Sequence, residues 1–197
     1  MTAPGAPPGP PAAPGAGPGL AEADRRIVEA QLGRPARGAT AVGWRCPCGA
    51  PGVVLTAPRL PDGTPFPTTY YLTCPNAVKA CSTLEGTGLM AAMTARLGQD
   101  EALAARYAAA HESYLADRAA LARQLGQDVP ELDGVSAGGM PHRAKCLHAL
   151  AAHALAKGPG VNPLGDEVLA EMGPFWDTGT VPVSGVVRPG NCARIQQ

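Results

Sequence analysis

Four of the six cysteines in this chain, Cys46, Cys48, Cys74 and Cys146, are the side chains best suited to chemistry. As thiolates they would bind zinc tetrahedrally or hold an iron–sulfur cluster, stapling loops to a helix start. A single residue, Pro47, separates Cys46 from Cys48, whereas the common zinc-knuckle spacing has two. His142 and His148 are the candidate imidazole ligands. On a helix opened by Pro141, His142 shares a face with Cys146, while His148 lies ~200° around the axis. His153 returns to the Cys146 face but ~10.5 Å away, far for sharing one ion with it, and a lone histidine on this alanine-rich helix also reads as a hydrogen-bonded packing residue.

Two further chemistries compete. Strand residues Tyr70 to Leu72 deliver Cys74 to a corner where Pro75 can open a helix. A helix N-terminus lowers a thiol pKa, so Cys74 is a candidate nucleophile, although no Cys-x5-Arg phosphatase loop accompanies it. The segment from Ser136 to Pro141 offers Gly138 and Gly139, with Arg143 beyond, as an anion site at a helix start. Asn162 to Glu167 reads as a capped turn, with Asp166 and Glu167 as acid–base candidates.

The elements that must position these groups follow from pattern. Residues 1–19 hold seven Pro, five Gly and five Ala, too little apolar surface to offset ordering, so a disordered and dispensable tail is expected. A single domain over 20–176 follows, then an irregular tail over 177–197. Leu20 to Leu32 has helical spacing closed by Gly33 and Pro35. Short β-prone runs at Val42–Arg45, Val53–Thr56 and Phe66–Thr73, punctuated by Gly and Pro, predict about three antiparallel strands.

From Val78 the period turns helical, with Gly86 and Gly88 interrupting it. Asp100 caps a long helix that ends at Gly126, a second runs from Pro141 to Lys157, and a short one covers Asp166 to Met172. The fold class is therefore α+β: a small sheet with an N-terminal helix and a helical C-terminal half.

Sixteen basic residues balance sixteen acidic ones, so no nucleic-acid surface is expected. The eight aromatics, Trp44, Phe66, Tyr70 and Tyr71 among them, are needed in the core. No run approaches the ~20 apolar residues of a membrane span, and the first 19 residues lack the basic region of a secretory signal. A cytoplasmic protein with reduced thiols is the expectation.

Thr64-Pro65-Phe66-Pro67-Thr68, Leu72-Thr73-Cys74-Pro75, Lys145-Cys146-Leu147-His148 and Asn162-Pro163-Leu164-Gly165 together resemble the bacterial DUF501 family, whose function is unknown. The resemblance spans roughly residues 25–172. It implies a gene neighbourhood shared with a septum formation initiator, and hence a cell-division partner. Three functions stand side by side: a thiolate metal or iron–sulfur protein in a structural or binding role, a Cys74-dependent hydrolase or transferase, and a metal-free adaptor linked to cell division.

Overall fold

A computed structural model describes residues 19–176. Apart from Gly19, the tails expected at 1–19 and 177–197 lie outside the described residues. The first helix, α1 (Glu22–Leu32), carries Glu22 and Asp24 in its first turn, where the helix dipole favours negative charge, and stops at Gly33 in the left-handed conformation.

Three strands follow, β1 (Ala39–Arg45), β2 (Pro51–Thr56) and β3 (Tyr70–Leu72). They form one antiparallel sheet in chain order. The third strand is shorter than its β-prone run suggests. Pro65 and Pro67 have no amide proton to give a ladder, so pairing begins only at Tyr70.

Side-chain alternation gives the sheet two apolar faces. Val53, Tyr70 and Leu72 join the large core, whereas Val54 and Tyr71 join a smaller cluster under α1 with Val28, Ala36 and Ala39. A register shift between Val42 and Trp44 breaks the alternation on β1. It turns the Trp44 ring over Gly52, where a Cβ would stand 2.5 Å from the indole, so only glycine fits beneath it.

The helical half comprises α2 (Pro75–Glu85), α3 (Leu89–Leu97), α4 (Glu101–Leu125), α5 (Leu147–Lys157) and α6 (Pro163–Met172). A short 3-10 turn, Pro130–Leu132, lies between α4 and α5. Local signals explain most ends. The Asp100 carboxylate accepts from Leu103 N at 2.9 Å, and the Asn162 amide oxygen accepts from Gly165 N at 2.9 Å. Gly88 separates α2 from α3, so the interrupted run is two helices.

The helix α5 is the hub, packing on β3, α2 and α6. Its alanines let neighbours come close: a Cβ on Gly165 would stand 2.5 Å from Leu150 O. Leu147, Leu150 and His153 are completely buried. Among the described residues no helix is long and apolar enough to cross a membrane.

The start of α5 departs from expectation. Residues 141–146 are not helical, and Leu147, not Pro141, is the first helical residue. The preceding loop is closed by Lys145 N donating to Gly138 O at 2.7 Å and Arg143 N to Gly139 O at 3.1 Å. Gly138 and Gly139 both take positive φ (75° and 92°), a region open to glycine, and carry the chain around this turn.

Candidate metal centre

The late start of α5 changes which side chains meet. Cys146 is the residue before the helix and has extended backbone, φ −149° and ψ 111°, with no side-chain cap of its own. Capping comes instead from the last turn of α2, where Glu85 Oε1 accepts from Leu147 N at 2.8 Å. That carboxylate also lies 3.0 Å from His148 Nδ1. The extended Cys146 brings its Sγ to 3.9 Å from the same nitrogen.

One atom from each of Glu85, Cys146 and His148 thus lies within 4.8 Å of the other two. The group is half-buried, with His148 and Glu85 side chains about a quarter exposed (26% and 27%). On the other side of the ring, Nε2 is 3.2 Å from Val78 O and 3.3 Å from Ser82 Oγ. A carbonyl oxygen only accepts, so Nε2 carries a proton directed at Val78 O.

The electrostatics follow from these partners. Contact with Cys146, reinforced by the Glu85 carboxylate, raises the His148 pKa to about 9 against the opposing effect of burial. Without an ion, the ring is an imidazolium donating from both nitrogens. Were a metal held here, Nδ1 would be the ligand nitrogen beside Cys146 and Glu85, and Nε2–H would remain on Val78 O. That outer hydrogen bond is the usual way a protein fixes a metal-binding histidine.

Beneath the group, Cys81 is completely buried and 3.7 Å from Met172 Sδ. Burial, then the nearby Glu85 and Cys146, pushes its thiol pKa up to about 12. Glu85 escaped the sequence analysis, and Cys81 fell outside its four candidate thiols. Their spacing of one helical turn on α2, flanking Ser82, is the signal that could have found them.

The remaining candidates are placed elsewhere. Cys46 and Cys48 occupy the turn between β1 and β2, and Cys74 precedes α2. Both ends of this set lean on the start of β2: Cys46 N donates to Ala50 O at 2.9 Å and Cys74 N to Gly52 O at 3.2 Å. Cys46 and Cys74 belong to the large core and Cys48 packs against it.

The eleven residues of α2 separate Cys74 from Glu85 by ~16 Å, which keeps Cys146 at the far end of the helix from the other three thiols. His142 is exposed on the non-helical approach to α5, so its expected one-turn relation to Cys146 does not arise.

Cys74 does stand before Pro75 at the first turn of α2, but it is completely buried, and no substrate reaches it in this conformation. At the proposed anion site, the amides of Arg143 and Lys145 close the loop onto Gly139 and Gly138, and no helix begins at Pro141. Asp166 accepts from Gly160 N at 2.8 Å and Glu167 holds Arg96 through both oxygens at 2.6 and 2.9 Å, so both carboxylates serve structure.

His153 is a packing residue. Its ring stacks on Tyr70 and meets Tyr114 edge-on, with centroids 5.2 Å away in both cases. The Asn162 amide oxygen is taken by Gly165 N, so Asn162 Nδ2 donates to His153 Nδ1 at 3.2 Å. The ring proton therefore sits on Nε2, which has no hydrogen-bond partner among the described residues. Burial lowers this histidine's pKa to about 4.

Comparison with known proteins agrees with the motifs carrying Cys74, Cys146 and Asn162. The profile of a family described as "Protein of unknown function (DUF501)" matches residues 42–170. No curated protein and no solved structure matches the chain. The matched segment takes in the whole Glu85–Cys146–His148 group and well over half of the sequence, and the chain belongs to the DUF501 family.

Proposed function

We propose that this protein binds a zinc-class transition metal between Glu85, Cys146 and His148. The observation that carries the reading is that one nitrogen, His148 Nδ1, faces both the sulfur (3.9 Å) and the carboxylate (3.0 Å). A nucleophilic triad needs the base to meet the thiol with one nitrogen and the orienting acid with the other. Here the second nitrogen is committed to Val78 O. Convergence of one N, one S and one O donor suits zinc, whereas an iron–sulfur cluster calls for several thiolates at one point.

Three protein ligands leave a fourth position for water or a bound molecule, as in zinc sites that act rather than staple. The role is binding at a half-exposed site, in a reducing compartment such as the cytoplasm, where the Cys146 thiol stays available. Protons compete for the thiolate and the imidazole, so affinity falls as pH falls.

The test is metal content and zinc affinity of protein purified without air. Cys146→Ser, His148→Ala and Glu85→Gln should each weaken zinc by more than about 100-fold, beyond the ~10–100-fold typical of an outer partner. Cys74→Ser should leave zinc at this site unchanged. A second reading, a thiolate site at the sheet end, is favoured by the way Cys46 and Cys74 both lean on the start of β2. One ion per chain that survives Cys146→Ser and disappears with Cys46→Ser or Cys74→Ser would move the centre there.

A further inference from the structure

The two faces of the sheet are covered unequally. One lies against α5 and the large core. The other is covered by α1, whose eleven residues shield the cluster around Val28 and Val54 but stop short of the loop that carries Phe66. A pocket of about 190 Å³ remains between α1, β2 and that loop. Its volume exceeds the ~150 Å³ of an apolar cavity that accepts a benzene ring.

The accessible apolar lining comes from Leu32, Leu60, Phe66 and Tyr71, all partly exposed, around a base closed by the buried Val28 and Val54. Phe66 and Tyr71 form an aromatic wall, with ring centroids 6.3 Å apart. The mouth is polar and mainly cationic. Arg34 donates to Tyr71 OH at 3.1 Å and lies 5.8 Å from the centre of that ring, which fixes its guanidinium at the rim. Arg37 is exposed beside it, with no side-chain hydrogen bond among the described residues. The one acid at the rim, Asp62, is held ionised by Thr64 N at 3.0 Å and by the charge of Arg37, so the rim carries one net positive charge.

These features select a ligand. A dry floor and aromatic wall reject sugars and other hydroxylated bodies, which would lose hydrogen bonds to water there. The volume is too small for a nucleotide, whereas a ring or chain of about eight carbons fits. Two guanidiniums against one carboxylate leave a net positive charge that favours an anion, and a guanidinium matches a carboxylate in planar, two-point fashion. We infer that this pocket binds a small apolar carboxylate, an arylalkyl or medium-chain alkyl acid, with its head between Arg34 and Arg37 and its body against Phe66 and Tyr71. This inference is independent of the metal centre, which lies on the α5 side of the molecule.

The experiment is a fluorine NMR titration of 4-fluorophenylacetate into the full-length protein, with amide shifts recorded on the labelled chain. Saturable binding is expected, with shifts at Val28, Val54 and Tyr71. Arg37→Glu, a change at an exposed position, should melt like the parent and weaken binding about tenfold or more, and so should replacing the acid with neutral 4-fluorophenylacetamide. Absence of saturation at millimolar ligand overturns the inference. Equal binding of acid and amide, unchanged affinity in Arg37→Glu, or shifts confined to the Trp44 side of the sheet would each overturn it too.

Discussion

Two histidines on α5, His148 at its first turn and His153 near its middle, are driven in opposite directions by their surroundings. At His148 the ring is a quarter exposed, and a sulfur and a carboxylate outweigh burial, raising its pKa to about 9. At His153 nothing is exposed, and burial lowers the pKa to about 4. The charges nearest His153, Asp117 and Lys157, act in opposite senses and pair with each other at 2.8 Å. The contrast teaches that one helix, with one residue type, supplies both a charged, hydrogen-bonded group and a neutral packing piece. What differs is whether the ring meets acceptors at an edge or aromatic walls inside.

The packed end should dominate stability. Replacing Leu150, completely buried one turn before His153's neighbourhood closes, with Asp should cost about 4 kcal/mol or more through lost packing and an unpaired charge. Urea unfolding would measure it, and a variant as stable as the parent would undo the assignment of α5 as the hub.

Acid sharpens the comparison next. The folded pKa of His153, about 4, lies below its unfolded value near 6.5, so the folded state takes up fewer protons. Its contribution is complete above pH 6.5 and is lost as pH falls toward 4, about 3 kcal/mol in all. Melts across that window should show the loss, and His153→Phe, which keeps the stack on Tyr70, should flatten it. An unchanged slope in the variant would assign the acid sensitivity to other groups.

Asn162→Ala comes third. It removes the cap on α6 and the donor to His153 Nδ1 together, and should lower stability by about 2 kcal/mol at neutral pH. The smallest effect belongs to the other end: in metal-free protein, His148→Ala should lower stability at pH 7 by about 1–2 kcal/mol, the linkage gain of its raised pKa discounted for the ring's partial exposure, while weakening zinc binding. A large loss of stability in the stripped protein would make His148 a structural residue like His153.

Local chemistry made much of the fold legible in the sequence alone. A carboxylate or amide three residues before a free helical N–H caps it wherever the chain goes, so Asp100 and Asn162 marked their helices, and Gly33 and Gly126 marked two ends. Short β-prone runs punctuated by Gly and Pro located the sheet, and spaced motifs identified the DUF501 family. Pro163 at the first turn of α6 was also readable, although the helix begins three residues before the expected Asp166.

The site was decided at longer range. Pro141 gave a sound local reason to start α5, but Gly138 and Gly139 close a loop there, and the chain becomes helical only where Glu85, 62 residues away in sequence, accepts the Leu147 amide. That single contact moves Cys146 off the helix, sets it beside His148 rather than His142, and adds a carboxylate no spacing rule connects to either. The sequence by itself marked the candidate thiols and histidines but not the Glu85 carboxylate. Which of them share a point in space was set by helix packing between distant segments, because a side chain's partners across the fold leave no trace in the residues beside it.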